Sequence, residues 1–145
     1  MIDEDSDAAP TEALEMSEDE SWSLRVEATE LLGRVIEKAK ARGRLEQMLD
    51  DPDIAVQTAA AEVLTRQGGA DGLLAVLKEL GRRAQDPDAD YIAYKLYWLE
   101  GMGEYPVLET ASTIEPAKMT EEARAGLTDV RRLLGLPDDE KGINA

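Results

Sequence analysis

The chain has 145 residues, enough for one domain that buries a core without metal or disulfide staples. It contains no cysteine and no histidine, which excludes disulfides, thiolate nucleophiles and zinc–thiolate sites and removes the usual general base near neutral pH. Its 32 acids against 16 bases give a net charge of -16 and a pI near 4.3, so its surface repels phosphate backbones and anionic lipid, and neither nucleic acid nor membrane is an expected partner. The same field attracts basic proteins and can mimic a nucleic acid towards them, or it can serve solubility alone. No stretch reaches the roughly 20 apolar residues that span a bilayer. The opening Met1-Ile2-Asp3-Glu4-Asp5 lacks the basic and apolar regions of a secretory signal, and a cytoplasmic location is the default expectation.

Residues 1–20 hold nine of the acids and none of the bases. With few apolar side chains to offset the entropy of ordering, this segment is expected to be a mostly disordered acidic tail. Within it Thr11 to Met16 can form a short helix with Ala13, Leu14 and Met16 on its apolar side. From residue 21 onwards the chain is dominated by Ala, Leu, Glu and Arg, and long alternation is absent, so helices are predicted throughout. Trp22, just ahead of the first of them, is expected to lie over the open end of the core.

The segment Ser23–Arg34 is echoed 32 residues later by Ala55–Arg66. Ala28 falls on Ala60, Glu30 on Glu62, Leu32 on Leu64 and Arg34 on Arg66, while Leu24 meets Val56 and Leu31 meets Val63. Apolar positions at this spacing make one buried helix face, with a small Ala where a neighbouring helix comes close. A second marker, Asp51-Pro52-Asp53, returns as Asp86-Pro87-Asp88. Proline disfavours helix in the residue before it and suits the first turn of the next helix, and the aspartates accept from unpaired N–H groups there. Each such triplet ends one helix and starts another. Second helices are expected over Val35–Leu49 and Ala70–Arg83, with Gly68-Gly69-Ala70-Asp71-Gly72 as the turn before the latter.

A third helix is predicted over Ala89–Glu100, with Ile92, Leu96 and Leu99 towards the core. All four tyrosines fall close together (Tyr91, Tyr94, Tyr97, Tyr105), and Trp98 joins them. Tyr91, Tyr94 and Trp98 form a second stripe about 120° around the helix from the first. Either a neighbouring helix covers that stripe, the C-terminal one being the candidate, or a partner does, since Tyr and Trp are common interface anchors. Asp86, Asp88 and Asp90 lie on one side of the aromatic group and Glu100 and Glu104 on the other, an acidic rim suited to a basic protein. The last helix is expected over Thr120–Leu134, N-capped by Thr120, buried through Ala123, Leu127, Val130 and Leu134, and stopped by Gly135 and Pro137. Residues 137–145 read as a loose tail.

An Asp-x-Asp followed by a Val-Arg-like pair, an Ala four residues on and a Leu four further resembles the first helix of HEAT repeats. The pair is Leu24-Arg25 in the first unit and Val56-Gln57 in the second. The third unit, with Tyr91-Ile92 and Leu99, departs from the pattern by placing Lys95 where the small Ala belongs. The resemblance covers residues 21–110 and implies an all-α fold: a short αα superhelix of about three hairpins over residues 21–136, its end closed by the C-terminal helix as repeat arrays require.

No catalytic constellation emerges. Asp86-x-Asp88-x-Asp90 imitates the start of a calcium loop, but Tyr91 occupies the glycine position and Tyr97 the terminal ligand position. The glycine run lacks phosphate-loop spacing. Neither cofactor nor metal is expected, and the chain is expected to bind rather than catalyse, as a monomer when free. Small size and an acidic helical body are similar to immunity proteins of bacterial toxin systems, which implies a basic toxin, such as a nuclease, as partner. The alternatives are a HEAT-like adaptor in a larger complex and, more remotely, a HEAT-like pigment lyase.

Overall fold

The computed structural model describes residues 10–137, and all regular structure among them is helical. Seven α-helices follow in order: α1 (residues 10–16), α2 (Trp22–Arg34), α3 (Ala39–Met48), α4 (Ile54–Arg82), α5 (Asp90–Gly101), α6 (Val107–Ser112) and α7 (Glu121–Leu133). Short 3-10 turns occupy Pro87–Ala89 and Pro116–Lys118. The chain divides into two compact units, one ending at Gly69 and the other beginning at Ala70.

In the first unit the repeated helix faces form the core. Ala28 and Leu32 of α2, Leu45 and Met48 of α3, and Val56, Ala60, Ala61 and Leu64 of α4 are buried. Arg25 of the first repeat grips the first aspartate of the next Asp-Pro-Asp, its Nε and a terminal nitrogen donating to the two Asp51 carboxylate oxygens at 2.9 and 3.0 Å. Its other terminal nitrogen donates to the carbonyls of Asp19 and Glu20. The Asp51 hydrogen bond is the foremost influence holding the Arg25 pKa above its ordinary value. Asp51 also accepts from the Asp53 N–H, and Asp53 from the Ala55 N–H, which is the capping that Asp-Pro-Asp predicts. Gln57, where the repeat pattern has Arg, turns back to donate to the Asp51 carbonyl at 2.6 Å.

Three expectations shift here. Trp22 opens α2 and is 53% exposed, so it is no lid; Leu24, two residues into the helix, is also exposed. The second helix of this hairpin starts at Ala39, because Val35–Lys38 close a turn through the Lys38 N–H to the Val35 carbonyl. The folded part also begins ahead of residue 21. Ala13 and Ser17 are buried, and Arg44 of α3 donates to both the hydroxyl and the carbonyl of Ser17 at 2.9 Å. The expectation of disorder for residues 1–9, and of a loose tail for residues 138–145, lies outside the described residues.

Gly69 interrupts α4 with φ 60 and ψ −147, a conformation open essentially to glycine alone. The expected five-residue turn is thus a one-residue break, with helix resuming at once in a second limb that buries Leu73, Val76, Leu77 and Leu80 in the second unit. α7 crosses this limb closely: a Cβ on Gly81 would meet the Glu122 backbone, and one on Gly126 the Leu77 carbonyl. α7 also packs on α5. Its capping follows the sequence reading, with the Thr120 hydroxyl accepting from the Ala123 N–H at 3.1 Å, acids in the first turn and Arg131 and Arg132 in the last. In the third repeat the small residue is Ala93, buried between Ile92 and Leu96, so Lys95 falls off the core face rather than replacing the Ala.

Candidate protein-binding face

The start of α5 is set by Asp86, whose carboxylate accepts from the Asp88 N–H at 3.0 Å while Pro87 fills the first turn. Ile92, Ala93, Leu96 and Leu99 then fix the helix's rotation by sinking into the core. The second stripe therefore points away: Tyr91 and Tyr94 are each 53% exposed, Trp98 43% and Tyr97 40%. α7 packs beside the Ala93 flank, where Asp129 and Arg132 line a groove that Asp90 and Tyr94 border, and the exposures show that it leaves the aromatic stripe largely uncovered. Tyr94 and Tyr97 hold each other edge-to-face, centroids 6.5 Å apart at 81°. The Lys95 ammonium lies 5.2 Å from the centroid of the Trp98 ring. Met102, four residues beyond Trp98, is the most exposed large apolar side chain of the described residues and extends the same stripe. Sequence inspection passed over it, although its spacing from Trp98 marks it.

The acidic rim separates into different jobs. Asp88 and Asp90 are exposed at the N-terminal end of the stripe, where they line a shallow groove with Pro87, Tyr91 and Tyr94. Asp86 is committed to capping and to Arg83, whose Nε and terminal nitrogen donate to it at 3.0 and 2.9 Å. Glu100 accepts from the Leu108 N–H at 2.8 Å and so fastens α5 to the start of α6. Tyr105 is half-buried beyond the helix, with its hydroxyl 3.4 Å from that of Thr110. Glu104 is exposed in the turn after α5. The compact part of the ten-residue set is therefore Asp88, Asp90, Tyr91, Tyr94, Tyr97 and Trp98.

Asp129 of α7 lies within electrostatic reach of Asp90. Burial first, and then the charge of Asp90, push its carboxyl above the ordinary range, against the opposing pull of Arg132. In the first unit a separate groove between α2 and α4 carries mixed charge, including Glu30, Arg34 and the Glu62–Arg66 ion pair at 2.7 Å. No group of three metal-binding side chains assembles among the described residues, and no helix among them is long and apolar enough to cross a membrane.

Paired helices recurring with the same buried spacing, the same Asp-Pro-Asp starts and a closing helix define an αα-repeat protein. A family model for HEAT repeats matches residues 10–96, and the chain belongs to that family. No curated protein and no solved structure matches it. HEAT repeats generally mediate protein binding, and the chain is accordingly a protein-interaction module.

Proposed function

We propose that this HEAT-repeat chain is a non-catalytic module that binds a basic protein and neutralises it by covering its functional cleft, in the way an immunity protein masks its toxin. The observation that carries this reading is the solvent-exposed row Tyr91, Tyr94, Tyr97 and Trp98 beside Asp88 and Asp90, on a chain of net charge -16. Aromatic anchors supply the buried centre that a partner needs, and the surrounding acids steer a cationic surface towards it. The absence of His and Cys from the sequence removes the commonest nucleophile-and-base pairs and agrees with a binding role. Such a complex forms quickly at low salt, with an association rate that falls steeply as ionic strength rises while dissociation changes little. Stopped-flow measurement with the purified partner checks this; a salt-independent association rate contradicts charge steering, and a partner whose activity survives complex formation contradicts neutralisation.

An adaptor role within a larger assembly is favoured by the family match itself. It predicts a partner that is not especially basic and binding that hardly responds to salt.

A further inference from the structure

We propose that the acidic segment Asp3–Asp7 of this chain docks on a basic strip of α3 formed by Lys38, Lys40 and Arg42, an inference independent of the aromatic face. Residues 34–44 are the most basic run of the sequence: Arg34, Lys38, Lys40, Arg42 and Arg44 are five of its 16 bases, and Glu37 is the one acid among them. Elsewhere bases meet acids, Arg25 with Asp51, Arg66 with Glu62, Arg82 with Glu79 and Lys118 with Asp71. Arg34, Lys38, Lys40 and Arg42 form no ion pair among the described residues. Helix formation does not account for them either. Lys38 is the N-cap of α3 without a side-chain capping bond, and no acid occupies the first turn, so the helix dipole opposes these cations rather than calling for them. The strip lacks a counter-charge within the described fold, and the chemistry that complements it is a run of carboxylates.

The position of α1 selects the occupant. Arg44 donates to the hydroxyl and the carbonyl of Ser17 at 2.9 Å, which fixes the end of α1 at α3. Lys40 is exposed one turn before Arg44 on the same side of α3. Residues 1–9, which lie outside the described residues, precede α1 and carry Asp3, Glu4, Asp5 and Asp7 with no base. Nine residues can span up to about 30 Å, whereas α3 is about 15 Å long. Asp3–Asp7 therefore reach Lys38 and Lys40 whichever way α1 runs. As part of the same chain, the segment acts at an effective concentration of about a millimolar. A free acidic peptide or a second copy must instead approach a chain of net charge -16 against its repulsion. Exposed ion pairs are individually weak, so the contact draws on several acids at once and responds to salt.

The chain has no cysteine, so Ile2→Cys supplies a single thiol for a nitroxide spin label, and paramagnetic broadening of backbone amide signals reads where the segment lies in the full chain. A companion in which the four acids are neutralised (Asp3→Asn, Glu4→Gln, Asp5→Asn, Asp7→Asn) measures the broadening due to tethering alone. The amides of Ala39–Arg42 are expected to broaden about threefold or more beyond that companion at low salt, and the excess to vanish by about 0.5 M salt. Neutralising the strip instead (Lys38→Gln, Lys40→Gln, Arg42→Gln) is expected to remove the same excess from the other side of the contact. Thermal melts verify the fold of each variant, and the tail and strip variants test one contact independently. Equal broadening with and without the acids, an excess centred on another surface, or an excess that survives high salt overturns the proposal. A second sample mixes labelled chain with isotope-enriched chain that carries no label. Broadening of α3 in that mixture as strong as within one chain assigns the segment to a neighbouring copy and likewise overturns it.

Discussion

Thr65 sits fully buried in the first limb of α4 with a hydroxyl that has no hydrogen-bond partner among the described residues. A buried hydroxyl of this kind costs about 1 kcal/mol or more, and valine keeps the branched shape without the polar atom. Thr65→Val is therefore expected to stabilise the protein by about 1 kcal/mol in denaturant unfolding; a loss of stability would mean that the hydroxyl is satisfied in solution. Asp129 carries the opposite kind of charge problem, an acid in the later half of α7 that is partly desolvated and faces Asp90. Its folded pKa lies above the unfolded one, so the folded chain holds the proton more tightly. That contribution is full below the ordinary value of 3.8 and is lost as pH rises through the raised folded value. Asp129→Asn is expected to raise the melting temperature near neutral pH, with a margin over the parent that shrinks in acid, where both side chains are neutral. A margin independent of pH would place the effect elsewhere. Single residues were legible from sequence where local chemistry decides them: Asp51, Asp53, Asp86 and Thr120 all cap as their neighbours dictate. Glu100 and Tyr105 were not, because their partners Leu108 and Thr110 belong to α6, the next helix.

Helix by helix, the structure separates signals that sequence merges. The run around Gly69 contains one residue that must be glycine and several that need not be. Gly69 has φ 60 with nothing within 4 Å of a built Cβ, so Gly69→Ala meets a backbone penalty alone. Gly68 has a helical conformation and a Cβ there would touch only the Ile36 side chain at 3.4 Å. Gly69→Ala is expected to cost about 1–3 kcal/mol, and Gly68→Ala to be neutral or to gain up to about 1 kcal/mol from helix propensity; equal effects in thermal unfolding would contradict a break localised to Gly69. The repeat faces of α2, α4 and α5 were readable because burial at helical spacing is a one-helix property. The late start of α3 was not, since Val35 and Ile36 have apolar side chains that suit a helix but serve a turn. α1 was legible as a short helix over Thr11–Met16, but its place in the folded part was not: Arg44 reaches Ser17, a contact between distant parts of the chain that composition cannot register. The glycine approach of α7 to the second limb of α4 was equally hidden, because periodicity finds large apolar residues and overlooks Gly126.

For the whole molecule, charge and covering decide what it does. An acidic HEAT-repeat protein with a buried helical core still leaves Tyr91, Tyr94, Tyr97 and Trp98 of α5, and Met102 just beyond it, exposed. The aromatic composition of that row was legible; its exposure was not, because a pattern of two apolar stripes is the same whether a helix or a partner covers the second. The direct test is affinity capture from the protein's own cells, comparing the parent with a Tyr94→Ala, Trp98→Ala variant and eluting with rising salt. A basic protein retained by the parent, released as salt rises and lost from the variant is the predicted result. Equal retention by parent and variant, or a neutral assembly indifferent to salt, would contradict binding through this face.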